Sequence, residues 1–256
     1  MADQVERHSA TRSSRVHVFD AVRGFSVISM VLFHLCYDLR YLYGYNLAFF
    51  QPPFQDIWRC SISWTFLFVA GCMCSFSRNG LKRALRYLGV ALAVFLVTTI
   101  AAVDTPINFG IIFCMGASTL IEHLLYRCGI APKGLAAAAL LFAVFLFTQG
   151  VPHGYVGFAG LRIALPASWY ATPYLSALGL PGPRFASGDY YPIIPYTFMY
   201  LTGAAVGRHC KEHGYPSWMY VLSCKPLEAV GKAALPIYVL HQPLIIAALE
   251  LLALVR

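Results

Sequence analysis

Apolar runs about as long as a bilayer is thick recur along this chain and leave it few folds to choose from. A helix that crosses the hydrocarbon core needs about 20 mostly apolar residues, with roughly 17 to 25 the usual range. Seven stretches qualify: 19–41, 60–76, 84–103, 107–125, 134–150, 192–207 and 235–255, of which the sixth is short and Gly-rich. Only helices and closed barrels satisfy their backbone groups in lipid, and runs this long specify helices. Hydrophobic residues make up 59% of the 256 and charged residues 12%, against about 25% charged in a soluble domain. A chain so poor in charge cannot clothe a water-facing surface. The expected fold is an all-α polytopic membrane helix bundle of about seven transmembrane helices, or eight and more if 151–191 adds interfacial or re-entrant ones.

Basic residues orient the bundle, because positively charged loops stay cytoplasmic. With the N-terminus inside, Arg7, Arg12, Arg15, Arg78, Lys82, Arg83, Arg86, Arg127, Lys133, Arg208, Lys211, Lys225 and Lys232 fall on the inner side. Arg40, Arg59, Arg162, Arg184 and Arg256 fall outside, and Arg23 lies within the first span. The net charge of +8 follows from this excess; no basic cluster interleaved with aromatics marks a nucleic-acid partner. Residues 1–15 are polar throughout and are expected as a disordered cytoplasmic tail, with 16–256 forming one transmembrane domain. The apolar run at 19–41 has no small-residue cleavage site after it, so it is expected to be a retained span.

The first span carries an anomaly in MVLFHLCYDLRYLY, residues 30–43. Ionisable groups in lipid are costly, and so are functional candidates by default. At about 100° per residue, Asp20, Arg23, His34 and Asp38 all project within about 60° of arc, a stripe that must face protein or a water-filled cavity. His34 and Asp38 stand at i and i+4, where side chains meet. A carboxylate beside an imidazole fixes its tautomer and stabilises the imidazolium, as a general base requires; equally, such a pair can serve only to tie helices together. At about 1.5 Å per residue His34 lies roughly 22 Å along the span, in its outer half.

Near the inner face, Asp20 and Arg23 form either a local ion pair or, through the donor fork of Arg23, an anion site. The neighbouring Lys82, Arg83 and Arg86 read as topological charges. The last span contains ALPIYVLHQPL, 234–244; counting from its start puts His241 in the inner half, as a second acid/base, a ligand contact or a core histidine. In SGDYYPIIP, 187–195, Asp189 with Tyr190 and Tyr191 reads equally as a polar acceptor site or as a helix cap. The loop 151–191 is rich in Gly, Pro and aromatics and is expected to fold back on the membrane surface, with Trp169 and several Tyr at headgroup level.

The eight cysteines are scattered, and Cys72 and Cys74 are too close for a zinc pair, so neither disulfide framework nor metal is expected. A phosphate-binding loop, a dinucleotide glycine motif, a zinc-protease helix and a nucleophile elbow are all missing from the sequence. An ATP-driven pump and a soluble-type hydrolase are thereby disfavoured, but no local signature fixes a reaction.

Several stretches together carry a likeness. FDAVRGFSVISMVLFHLCYDL (19–39), FLFVAGCMCSFSR (66–78), INFGIIFCMGASTLI (107–121), SGDYYPIIPYTFMYLTGAAVGR (187–208) and EAVGKAALPIYVLHQPLI (228–245) follow one another in the order in which matching stretches occur in a known family. The chain resembles the heparan-alpha-glucosaminide N-acetyltransferase family, including its shorter bacterial members. The resemblance implies a multi-span transferase that takes an acetyl group from cytoplasmic acetyl-CoA and delivers it to a sugar across the membrane. Asp20, Arg23 and Gly24 match the opening motif, Asp189 to Pro192 the outer-loop motif and His241 the closing-span histidine. The loop GYNLAFFQPPFQDIW (44–58) holds no histidine, so the catalytic expectation falls on His34, with Asp38 orienting it.

The expected function is thus acyl transfer from acetyl-CoA to a sugar or glycan acceptor at the outer face of the plasma membrane. His34 and Asp38 would carry catalysis, and Asp20, Arg23, His241, Asp189 and Tyr190 the substrates. Membrane lipid surrounds the chain, and a homodimer is compatible with the sequence. The rival reading is a transporter or channel using the His34–Asp38 stripe as a proton or solute path, although paired broken helices in inverted repeats are not evident.

Overall fold

A computed structural model describes residues 16–77, 79–101 and 105–254; the expected tail, 1–15, lies outside them. Each apolar run forms a helix. These are α1 (His17–Tyr41), α2 (Phe54–Cys72, continued by the 3-10 turn Met73–Phe76), α3 (Gly80–Ile100), α4 (Ile111–Arg127), α5 (Leu135–Phe147) and α6 (Ile193–His213). Two short helices, α7 (Trp218–Val221) and α8 (Lys225–Lys232), precede the last long one, α9 (Ala234–Leu254). The fold is an all-α polytopic bundle. The one exception among the described residues is a two-residue antiparallel ladder, β1 (Tyr155–Val156) with β2 (Ile163–Ala164).

Five segments are long and apolar enough to cross a membrane: α1, α2 with its turn, α3, 135–153 (α5 and the turn after it), and α9. The remaining two of the seven expected spans, α4 and α6, do not qualify, and the structure gives the reason. α4 has 17 residues, and α6 carries polar groups that lipid would not accept. Both are instead the best shielded. α4 buries Ser118, Thr119 and Glu122, and α6 buries Thr197, Tyr200 and Thr202. Their hydroxyls pair across the helices, Ser118 with Thr197 at 2.8 Å and Thr119 with Tyr200 at 3.0 Å, as buried polar groups in a bundle must. By contrast only 6% of the apolar window is buried in each of α3 and α9; Leu92, Val97, Leu240 and Leu244 lie exposed along them, as lipid-facing side chains would.

Small residues set the tightest contacts. A Cβ on Gly71 of α2 would lie 2.0 Å from the Tyr200 carbonyl oxygen of α6, and one on Gly203 2.0 Å from that of Phe68. Only glycine lets these backbones approach so closely. The same holds between α1 and α8. There a Cβ on Gly24 would meet the Leu227 carbonyl oxygen at 1.9 Å, and one on Gly231 that of Asp20 at 2.0 Å.

Hydrogen bonds define the two ends. At one end Arg208 pairs with Glu122 and also donates to the Pro132 carbonyl at 2.8 Å, while Lys211 donates to that of Ser75 at 2.7 Å. Arg83, which donates to the Met73 carbonyl two residues before Ser75, joins Arg208 and Lys211 there, hence the basic end. At the opposite, loop end, Asn108 N–H donates to Ser187 at 3.0 Å and Tyr191 N–H to the Phe109 carbonyl at 2.9 Å. Segment 151–191 lies at this end, its last residues tied to the stretch before α4 by those two bonds and its 3-10 turns to one another by Tyr170 O–H to Val151 O at 2.5 Å.

Candidate active site

The polar stripe of α1 meets two different partners. Its lower half, Asp20 and Arg23, lies against α8. The Arg23 Nε donates to the Gly231 carbonyl at 2.5 Å, one Nη to Asp20 at 2.5 Å and the other to the Met73 sulfur at 3.1 Å. With His17 bonded to Glu228 at 2.9 Å, this contact is a clamp between α1 and α8, and the guanidinium is already well supplied with acceptors.

The upper half, His34 and Asp38, lies against α9. The His34 and His241 rings face each other with centroids 4.8 Å apart and planes at 58°. Asp38, 1% exposed, accepts from the Gln242 amide at 2.8 and 3.1 Å. Further along the same seam Tyr43 O–H donates to Glu250 at 2.6 Å. The helices run parallel, and residue numbers rise together across the contact.

Two expectations are corrected here. The Asp38 carboxylate does not bond to His34: among the described residues its hydrogen-bond partner is Gln242, because α9 brings an amide nearer than the helix brings its own imidazole. Nor does His241 lie deeper toward the basic end than His34. Counting from the start of α9 ignored α8, which already covers the first turns of α1. Gly231 to His241 and Arg23 to His34 are nearly equal lengths of chain, so the two histidines reach one level.

His241 is the better oriented of the pair. Its Nδ1 donates to the Tyr238 carbonyl at 2.6 Å, since a carbonyl can only accept. The lone pair is thereby left on Nε2, which is buried with no hydrogen-bond partner among the described residues, as is the Oε1 of the next residue, Gln242. Leaving a buried polar atom unpaired costs about 1–3 kcal/mol, so the unpaired Nε2 marks a place that a donor group would fill. Tyr238 is held in turn. Its O–H donates to Asp189 Oδ2 at 3.2 Å, which also accepts the Ile111 N–H at 2.9 Å. Asp189 therefore acts as a cap, but for the start of α4 and not for its own helix α6. The last of the expected residues, Tyr190, donates to the Ser176 carbonyl at 2.6 Å and belongs to the folded loop.

Of the seven residues singled out, His34 and His241 meet, Asp38 joins the same seam through Gln242, Asp189 reaches His241 through Tyr238, Asp20 and Arg23 sit in the clamp, and Tyr190 stands apart. Gln242 and Tyr238 were missed. Their signal was present in YVLHQPL, where an amide beside the histidine and a phenol one turn before it break an apolar run. An apolar cleft of about 490 Å³ between α1, α2, α5 and α6, lined by Phe19, Val22, Trp64, Phe68, Phe142 and Met199, includes none of these residues.

Comparison with known proteins returns one family: heparan-alpha-glucosaminide N-acetyltransferase, catalytic, matching residues 15–243. No curated protein and no solved structure matches the chain. The match runs from the opening stripe on α1 to the histidine and glutamine of α9. The chain belongs to the heparan-alpha-glucosaminide N-acetyltransferase catalytic family.

Proposed function

We propose that the chain is a multi-pass acetyltransferase of the plasma membrane. In this reading its N-terminus is cytoplasmic, its donor is acetyl-CoA arriving at the basic end, and its acceptor is an amine or hydroxyl of a sugar or glycan at the loop end. The observation that carries the reading is the buried Nε2 of His241, without a hydrogen-bond partner among the described residues, on a ring 4.8 Å from that of His34. Family membership supports the reaction class, and the excess of basic residues at one end supports the orientation.

The chemistry follows from the tautomer. The acceptor N–H or O–H lies against His241 Nε2, which takes its proton as the acceptor attacks the thioester carbonyl carbon. The new C–N or C–O bond forms, the C–S bond breaks, and the proton passes by way of His34 to the departing CoA sulfur. A positioned base of this kind contributes about 10²–10⁴ in rate. Asp38, one helical turn along α1 from His34 and fixed by Gln242, supplies a negative charge that favours the transient imidazolium. His34 and Arg23 lie about 16 Å apart along α1 at 1.5 Å per residue, a separation that an extended pantetheine arm spans. A solute path along the stripe would have to pass the Arg23–Asp20–Gly231 clamp, which disfavours the transporter reading.

Purified protein in proteoliposomes, given acetyl-CoA on one side and glucosamine or a glucosamine-ended oligosaccharide on the other, should transfer acetyl label across the membrane. Transfer that persists undiminished in His241→Ala and in His34→Ala would remove both from catalysis. No transfer to any amino or hydroxyl sugar would sink the reading itself.

A further inference from the structure

The turn Met73–Phe76 at the foot of α2 has cationic groups bonded round it. Arg83 of α3 donates to the Met73 carbonyl at 3.3 Å, Lys211 of α6 to that of Ser75 at 2.7 Å, and Arg23 of α1 to the Met73 sulfur at 3.1 Å. Between the two carbonyls, the Cys74 thiol lies in the field of Arg83, Arg208 and Lys211 together. The sequence treats Arg83 as a charge that merely fixes topology. Its head instead turns into the bundle, where another Nη donates to Tyr200 O–H at 2.5 Å.

These cations are not equivalent. Asp20 meets the charge of Arg23 and Glu122 that of Arg208. Among the described residues no carboxylate pairs with Arg83 or Lys211; their partners are carbonyls and a phenol, and the Nε of Arg83 is buried with no acceptor. Two like charges held beside one turn, one of them with a donor shut away from water, repel each other unless an anion lies between them.

Beside the cations lies an exposed aromatic platform. Phe76, 48% exposed, stacks on Tyr215 with centroids 5.7 Å apart and planes 23° from parallel. Tyr215 is anchored through its O–H to the Gly207 carbonyl at 3.1 Å. A half-exposed ring backed by Tyr215 and edged by Phe19 at 6.3 Å suits a planar heterocycle, and an adjoining pair of cations suits phosphate oxygens. The two features together describe a purine nucleotide carrying more than one phosphate.

We propose that the Met73–Phe76 turn is the seat of the phosphoadenosine end of the acyl donor, with Arg83 and Lys211 holding phosphate oxygens and Phe76 stacking on the base. The assignment rests on the acetyl-CoA reading above and moves the phosphate role from Arg23, whose charge is already met, to two residues of other helices. A phosphate could also come from an inner-leaflet lipid, so the test must separate the two sources.

The probe is adenosine 3′,5′-bisphosphate, which has neither pantetheine arm nor thioester, titrated into the full chain in neutral detergent. It should bind, and Lys211→Gln should weaken it about tenfold, the loss expected for one charge-assisted contact. Phe76→Ala should weaken the bisphosphate and leave inorganic pyrophosphate unaffected, whereas Arg127→Gln, an exposed charge at the same end, should change neither. Lys211 is exposed and its variant should fold; Arg83→Gln also cuts a tie to Tyr200, so its binding is read only where its melting temperature is retained. Bisphosphate affinity unchanged in both Lys211→Gln and Phe76→Ala overturns the site. So does bisphosphate that fails to bind in nanodiscs of phosphatidylglycerol while binding in phosphatidylcholine, which would assign the turn to lipid. Acetyl transfer is scored separately. A raised KM for acetyl-CoA with unchanged kcat in Lys211→Gln supports the site, while normal bisphosphate binding without any transfer would refute the catalytic reading and leave the site standing.

Discussion

One helix, α1, makes two contacts of opposite character. At the basic end it meets α8 through Gly24 and Gly231, with Arg23 bonded on three sides and Asp20 and Glu228 paired. Toward the loop end it meets α9 through two imidazoles, a carboxylate and an amide, and two acceptors there have no partner among the described residues. The first contact is saturated, and a saturated buried network rigidifies. The second is open, and what it lacks is a donor. The same stripe of ionisable residues thus serves as a joint at one end and as a candidate reaction site at the other. What separates them is how many of their hydrogen-bonding atoms the neighbouring helix satisfies.

Substitutions can break this comparison, and the largest effect should fall on the joint. Gly231→Leu puts side-chain atoms where the Asp20 carbonyl lies, and overpacking costs about 1–3 kcal/mol or more; we expect loss of monodisperse protein in detergent, and a normal melting temperature would mean that α8 is free to move aside. Next, His241→Ala should lower acetyl transfer about 10²–10⁴-fold with a smaller fall in melting temperature than Gly231→Leu, since it gives up the Nδ1–H bond to the Tyr238 carbonyl and the ring packing on His34 but takes no partner from a protein donor at Nε2. A melting temperature that falls as far as in Gly231→Leu would make the open contact structural too. Gln242→Leu should be intermediate. It strips Asp38 of its donor, at about 1–3 kcal/mol, and calorimetry or thermal shift should register the loss together with a slower rate; an unchanged melting temperature would show that water replaces the amide. The smallest effect is expected for Tyr238→Phe, which removes the bond to Asp189 but keeps the carbonyl that orients His241. The rate should drop by less than about tenfold, in line with the loss of one hydrogen bond that does not touch the reacting atoms, and a drop as deep as that of His241→Ala would mean that the phenol itself takes part.

The residues of MVLFHLCYDLRYLY show how far local reasoning reaches. The stripe was legible, because helical period alone puts Asp20, Arg23, His34 and Asp38 on one side of α1. Its partners were not. Spacing at i and i+4 suggested that Asp38 would orient His34, yet an amide more than 200 positions away along the chain takes the carboxylate. His241 was named for its place in the last span, but its level could not be counted without knowing that Lys225–Lys232 already lie against α1. Asp189 read equally as an acceptor site or a cap; that it caps, and which helix, was beyond reach, since Ile111 joins it only through the fold. Arg83 passed for a surface charge, because nothing local reveals that Tyr200 and the Met73 carbonyl draw its head inward.

By itself the sequence determined the solvent and the scaffold. Run length and scarcity of charge require helices in lipid, because backbone groups have no other partner there, and the placement of basic residues marks one end. Tertiary structure alone decided the chemistry. Whether an ionisable side chain is spent or available depends on what the neighbouring helix offers it. Across α1 that is settled by backbones drawn together at Gly24 and Gly231 and by two histidines brought level on α1 and α9.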